Sequence, residues 1–267
     1  MSFAMKTFEN KPNFKRFVEL AEVDIRYLSY GKVVSALRVL ELIEKNRLQG
    51  ETILDIGCGA GGISQFFDDF VGVEISHKAL SNASRINERN NATFVCGNAE
   101  YVPLKDGVTD FVISVNMLEH TSDPGKVIDE IYRLTNRIAL IVVPCSDCVP
   151  FFYDPFNWSR IKLGYKPRNR GAFGYGHINL RSHDEWLELL AKANFTLLEE
   201  YSYDDSLIGQ IEFCLFSLLK PSDEYEDLPI RSVMKRKYHL VSVLHRLAWM
   251  LDYITSASFS RCFLVKK

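Results

Sequence analysis

Apolar side chains recur at helical spacing through residues 14–46, at Phe14, Phe17 and Val18 and again at Tyr27, Tyr30, Val34, Leu37 and Leu40. That period predicts two helices ahead of any strand. From Thr52 the pattern changes to short apolar runs at 52–56, 70–74, 93–96, 109–114 and 137–143, separated by helical stretches. Strands covered on both faces read as such runs, so the alternation predicts an α/β fold built on a doubly wound parallel sheet. The intervening helices are expected from about Ile63, from His77 to Glu88, and from Pro124 to Leu134 with Asp123 as cap.

The periodicity fails after Pro144. Residues 148–176 mix aromatic, basic, proline and glycine positions without helical or strand spacing, which suggests an ordered insertion lying over a site. Regularity returns at Ser182, whose partner Glu185 three residues on completes a capping-box pattern ahead of Trp186, Leu189 and Leu190. A strand is expected from Phe195 to Tyr201 and a last one at Cys262–Val265. Between them Leu240, Leu244, Leu247, Leu251 and Ile254 form a helical stripe, read either as core or as a face for a membrane surface or a second subunit.

Composition narrows the class. A chain of 267 residues with 47% hydrophobic and 25% charged positions suits an ordinary globular protein. A net charge of −2 and a pI near 6.3 provide no global positive field, so a nucleic-acid partner is disfavoured. The most apolar stretch, Leu207 to Leu219, is short and broken by Gln210 and Glu212, so neither membrane spanning nor secretion is expected and a cytoplasmic location fits. The six cysteines are scattered. Cys145 and Cys148 form a lone Cys-x-x-Cys without the second pair that a tetrahedral metal site needs, so no metal is expected.

The first apolar run ends in Gly57-Cys58-Gly59-Ala60-Gly61-Gly62, where a buried strand must turn sharply into a helix. Glycine permits that turn and lets a ligand approach the backbone. Glu74 closes the second run, at the distance expected of a carboxylate that binds ribose hydroxyls. Asn98 comes after the third, and its amide oxygen can accept from the exocyclic amine of adenine. Gly57, Gly59 and Gly62 also satisfy the dinucleotide pattern, which keeps a nicotinamide oxidoreductase as an alternative. Asp55 argues against it: a carboxylate two residues before the turn repels a pyrophosphate but suits a ligand bearing a sulfonium and an ammonium, which is S-adenosylmethionine.

The segments ILDIGCGAGGIS, VGVEIS, CGNAEYVPL and DFVISVNMLEHTSDPGKVIDEIYRL, in that order, resemble the small-molecule class I methyltransferases, and the ubiquinone- and biotin-pathway enzymes are similar. The resemblance covers about residues 50–143, with a helix-strand unit at 176–200. It implies a Rossmann-like, seven-stranded, mostly parallel sheet with the last strand antiparallel, S-adenosylmethionine as cofactor and S-adenosylhomocysteine as product. It further implies that Gly57, Cys58 and Gly59 line the methionine portion, Glu74 with Ile75 the ribose, and Asn98 with Ala99 the adenine. Asn116 and Leu118 would border the cofactor. Two departures stand out: Asn98 where the family often has Asp, and Thr135-Asn136-Arg137 in place of Lys-Pro-Gly-Gly, expected to alter only a turn.

One domain over 1–267 is expected. Its parts are a helical cap at 1–48, a cofactor-binding half at 49–144, the aromatic and basic insertion at 145–181, and a second half at 182–267 with a helical insertion at about 203–258. Methyl transfer is an in-line displacement, and a hydroxyl acceptor needs a base as well. His120, past the fourth run, and His177, after the insertion, are the candidates, with a packing role open for each. Glu119 is a candidate structural acceptor. Tyr153, Asp154, Trp158, Arg160 and Arg181 are candidate acceptor contacts, a mixture suited to an anionic group beside an apolar one. The expected substrate is a small or a lipid- or glycan-linked molecule methylated on oxygen, handled by a monomer or homodimer. A binder of the methyl donor without catalysis is the other alternative.

Overall fold

The computed structural model describes residues 30–46, 52–64, 67, 69–86, 92–147, 163, 178–202 and 260–267. Helix α1 (Tyr30–Lys45) precedes β1 (Ile53–Ile56), β2 (Phe70–Glu74), α2 (His77–Ile86), β3 (Ala92–Cys96) and β4 (Thr109–Val115). Next come a 3-10 turn (Leu118–His120), α3 (Pro124–Leu134), β5 (Thr135–Pro144), α4 (His183–Lys192), β6 (Thr196–Ser202) and β7 (Ser260–Lys266). One seven-stranded sheet joins the strands in the order β3-β2-β1-β4-β5-β7-β6. The first five strands are parallel, and β7 runs antiparallel between β5 and β6. This is the Rossmann-like sheet expected from the resemblance.

Side chains alternate across the strands, so each strand feeds two cores. Leu54, Ile56, Val112, Ala139 and Ile141 pack under α3 and α4 with Val127, Ile128, Ile131, Trp186 and Leu190. Ile53, Phe70, Phe111, Ile113, Leu140 and Leu264 face the opposite side, against Val39, Leu42 and Ile43 of α1. A wholly buried aliphatic side chain stabilises by about 1.5–3 kcal/mol before entropy is counted, so the stripe on α3 is a large share of its anchorage.

Local chemistry sets the helix ends. The Asp123 carboxylate accepts from the Lys126 N–H at 3.1 Å and Pro124 occupies the first turn of α3. At the other end the Thr135 hydroxyl donates to the Ile131 carbonyl at 2.7 Å, and the chain passes directly into β5. Thr135, Asn136 and Arg137 are therefore strand residues, which corrects the expectation of a mere altered turn. The capping box at Ser182 and Glu185 is present in full. Where a short helix is expected from about Ile63, turns run through Ile63, Ser64 is in 3-10 conformation, and residues 65, 66 and 68 lie outside the described residues. The first N-terminal helix, most of the 148–176 insertion and the 235–255 stripe lie outside the described residues.

At the start of α4, His183 joins three elements. Its ring bonds Asp184 Oδ1 at 2.9 Å and Glu200 Oε2 of β6 at 3.0 Å, and it rests against Phe263 of β7. Burial lowers the pKa of this imidazole, but the bonds to Glu200 and Asp184 outweigh it and hold the value above 6.5. A raised folded pKa contributes stability that is complete below the unfolded value and lost as pH rises through the folded one. His183→Gln is thus expected to lower the unfolding free energy measured in urea more at pH 5.5 than at pH 8, the difference staying below about 1 kcal/mol because the ring is partly exposed. An equal loss at both pH values would contradict this assignment.

Candidate functional site

Five parallel strands end along one edge of the sheet, and the order reverses between β1 and β4, the place where open α/β sheets bind ligands. At the end of β1 the Gly57 and Cys58 N–H groups both donate to the Val73 carbonyl, at 2.8 and 3.1 Å. The turn this forms uses the left-handed region at Gly57, Gly59 and Gly61. Among the described residues a Cβ at Gly59 would meet nothing within 4 Å, so there the turn presents bare backbone.

Glu74 closes β2 and holds that turn. Its Oε2 accepts from the Gly59 N–H at 3.1 Å and its Oε1 from the Ser76 N–H at 2.9 Å. An ionised carboxylate offers about four acceptor positions, so each oxygen keeps capacity for a ribose hydroxyl. Asp55 is 4% exposed, two residues before the turn. The Cys58 thiol records the resulting field: burial raises its pKa most, and the charges of Asp55 and Glu74 raise it further. The turn is therefore electronegative, which suits a cationic ligand and disfavours a pyrophosphate.

Beyond β3 the Asn98 amide oxygen accepts from the Glu100 N–H at 2.9 Å, and Tyr101 N–H donates to the Asn98 carbonyl, also at 2.9 Å. The amide oxygen thus already has one partner and a second lone pair to offer. Ala99 packs on the core beside it. Ile75 and Tyr101, each 64% exposed, leave large apolar surfaces at the ends of β2 and β3. Asn116, at the end of β4, has φ 51°, and its amide oxygen is buried without a hydrogen-bond partner among the described residues. A strained backbone and an unmet acceptor at a strand end are marks of a ligand site. Leu118 is fully buried in the core beneath the edge.

His120 is 38% exposed, and its Nε2 lies 3.9 Å from the buried Glu119 carboxylate. That distance is longer than a hydrogen bond, and it becomes an ion pair only when the imidazole is protonated. The backbone carbonyl of Glu119 takes the Ile178 and Asn179 N–H groups at 2.9 and 3.0 Å. The Asn179 side chain donates to the Thr121 carbonyl as well. The chain re-entering after the insertion is thereby tied to the turn that carries His120. Arg181 bridges to Cys145 past the end of β5, its guanidinium 5.9 Å over the Trp186 ring. His177, Tyr153, Asp154, Trp158 and Arg160 lie outside the described residues. Among the described residues, no three His, Cys, Asp or Glu side chains could hold a metal ion, and no helix is long and apolar enough to cross a membrane.

Sequence reading missed the residues that brace this edge. Arg133 and Glu130 of α3 are three apart on one helix face, a pairing legible in the sequence, but their loop partners are set by packing.

Residues 54–143 match a family described as a methyltransferase domain. An uncharacterized methyltransferase of Mycolicibacterium gilvum is 28% identical over 131 residues, covering 47% of this chain and 51% of the relative. Norajmaline N-methyltransferase of Rauvolfia serpentina is 30% identical over 117 residues, 40% of each chain. The chain spans 51%, 40% and 38% of the length of three curated relatives it matches. A structure from Galdieria sulphuraria, provisionally described as a sarcosine dimethylglycine methyltransferase, shares the fold at TM-score 0.54 and 19% identity, over 86% of each chain. In its sheet order, its glycine turn and this matched segment, the chain is similar to the class I S-adenosylmethionine-dependent methyltransferases, the methyltransferase-domain match lying over residues 54–143.

Proposed function

We propose that the chain catalyses methyl transfer from S-adenosylmethionine to a small or a lipid- or glycan-linked acceptor, with oxygen the favoured acceptor atom. The observation that carries this reading is the row of strand ends, where the glycine turn, Glu74, Asn98 and Asn116 occupy one edge in an electronegative setting. S-adenosylmethionine supplies an electrophilic methyl group on a sulfonium.

The chain's own task is positional, because an in-line displacement depends on near-attack geometry and the exclusion of water. Glu74 is suited to take the ribose hydroxyls, with Ile75 beside it. Asn98 and Ala99 serve the adenine, and Gly57, Cys58, Gly59 and Asp55 the methionine end, while Asn116 and Leu118 border it. His120, at the same edge beside the Glu119 carboxylate, is the base that takes a hydroxyl proton. His177 is the second candidate base. Tyr153, Asp154, Trp158, Arg160 and Arg181 remain our candidates for acceptor contacts. The free thiols of Cys58, Cys96 and Cys262 fit a cytoplasmic setting. A nitrogen acceptor is the second reading, favoured by the likeness to norajmaline N-methyltransferase.

Calorimetry with S-adenosylmethionine, S-adenosylhomocysteine and NAD tests the proposal. The first two should bind saturably and NAD should not; binding of NAD alone would overturn it. Once an acceptor is found, His120→Ala is expected to keep cofactor affinity and lose turnover by about a hundredfold or more, the usual weight of a general base. Unchanged turnover would remove His120 from the mechanism.

A further inference from the structure

The loop between β3 and β4 is fastened to α3 along its length. Arg133 donates to the Leu104 carbonyl at 2.8 Å, to the Val102 carbonyl at 3.1 Å and to Asp106 Oδ1 at 2.6 Å, while its remaining bonds go to Glu130. Glu130 Oε1 also accepts from the Val102 N–H at 2.7 Å. The chain is thus gripped on both sides of Pro103. That proline lies against Gly97, where an added Cβ would stand 3.0 Å from Pro103 Cδ. Gly97 in turn precedes Asn98. A second set of contacts comes from the start of the same helix: Ser122 donates to Glu100 Oε1 at 2.8 Å, and Lys126 Nζ sits 3.7 Å over the Tyr101 ring.

We infer that Arg133 and Glu130 are positioning residues for the nucleobase of the cofactor, acting through Val102, Leu104 and Pro103 to hold Asn98 where it can select adenine. The inference rests on the S-adenosylmethionine reading above. The Arg133 hydrogen bond keeps the Glu130 carboxyl below the usual range although burial works against it, so the pair stays ionised and its forked bonds stay short. Both side chains bond to the loop backbone, and their influence on the site is through its shape.

The test compares S-adenosylhomocysteine with S-inosylhomocysteine, which lacks the exocyclic amine of adenine, by calorimetry on the full chain. The wild type should prefer the adenine form. Arg133→Met is expected to weaken S-adenosylhomocysteine about tenfold, the scale of a displaced positioning contact, and to shrink the preference between the two bases. Glu130→Gln keeps an acceptor for the Val102 N–H and loses the charged fork, so it should act in the same direction more weakly and serves if the first variant fails to fold. A folded variant with unchanged affinity and preference overturns the inference. So does an equal loss for both ligands with the preference intact, which is the signature of a purely structural role. A wild type that binds neither ligand removes the cofactor reading itself, an outcome seen before any variant is made.

Discussion

Glu74→Ala is expected to weaken S-adenosylhomocysteine binding at least a hundredfold, or about 2.7 kcal/mol. Hydrogen bonds to an ionised group contribute about 1.5–3 kcal/mol each, and this carboxylate serves two purposes at once. On the proposed reading it offers its remaining lone pairs to the ribose, and it holds the glycine turn by accepting from the Gly59 and Ser76 N–H groups. Removing it therefore releases the turn as well as the ligand contact. Glu74→Gln should fall between wild type and Ala, because one oxygen remains to accept while the amide end can only donate. Calorimetric titration reads the effect directly. An Ala variant within threefold of wild type would show that neither the carboxylate nor the turn it holds contributes to cofactor binding.

Gly57→Ala should be the most destabilising single change at the site, by roughly 3 kcal/mol, the sum of a backbone and a packing cost. Gly57 has φ 82°, and left-handed backbone costs a residue with a Cβ about 1–2 kcal/mol. The new methyl would also stand 2.1 Å from Met117 Cγ and 2.7 Å from Met117 Cβ, so Met117 must move, an overpacking cost of about 1–3 kcal/mol. Met117 lies between Asn116 and Leu118, and its displacement disturbs the neighbouring strand end. Gly59→Ala is the control. It has φ 55° and open space around its Cβ, so it should lose only the backbone term. Urea unfolding of the two variants separates strain from packing, and equal losses would refute the Met117 clash.

These two residues were open to sequence reasoning because their signals are local. A glycine after a buried run and an acidic residue closing the next one fix a turn and a carboxylate whatever surrounds them. The caps at Asp123 and Ser182 are legible for the same reason, since each acts within four residues. Strand runs survive because a strand covered on both sides must be apolar throughout. The junction at Thr135 shows the limit of such reading. Helical spacing alone does not say where a helix passes into a strand without a loop.

By itself, then, the sequence determined the α/β class, the places of the strands though not their ends, the glycine turn and the identity of the residues at the strand ends. Only the tertiary structure decided that β7 lies between β5 and β6, that His183 meets Glu200, that the Glu119 carbonyl receives Ile178 and Asn179, and that Arg133 grips the loop behind Asn98. Each of these polar contacts joins residues far apart in the chain. Periodicity carries the information for burying a face. The choice of which donor meets which acceptor comes from the packing that brings them together.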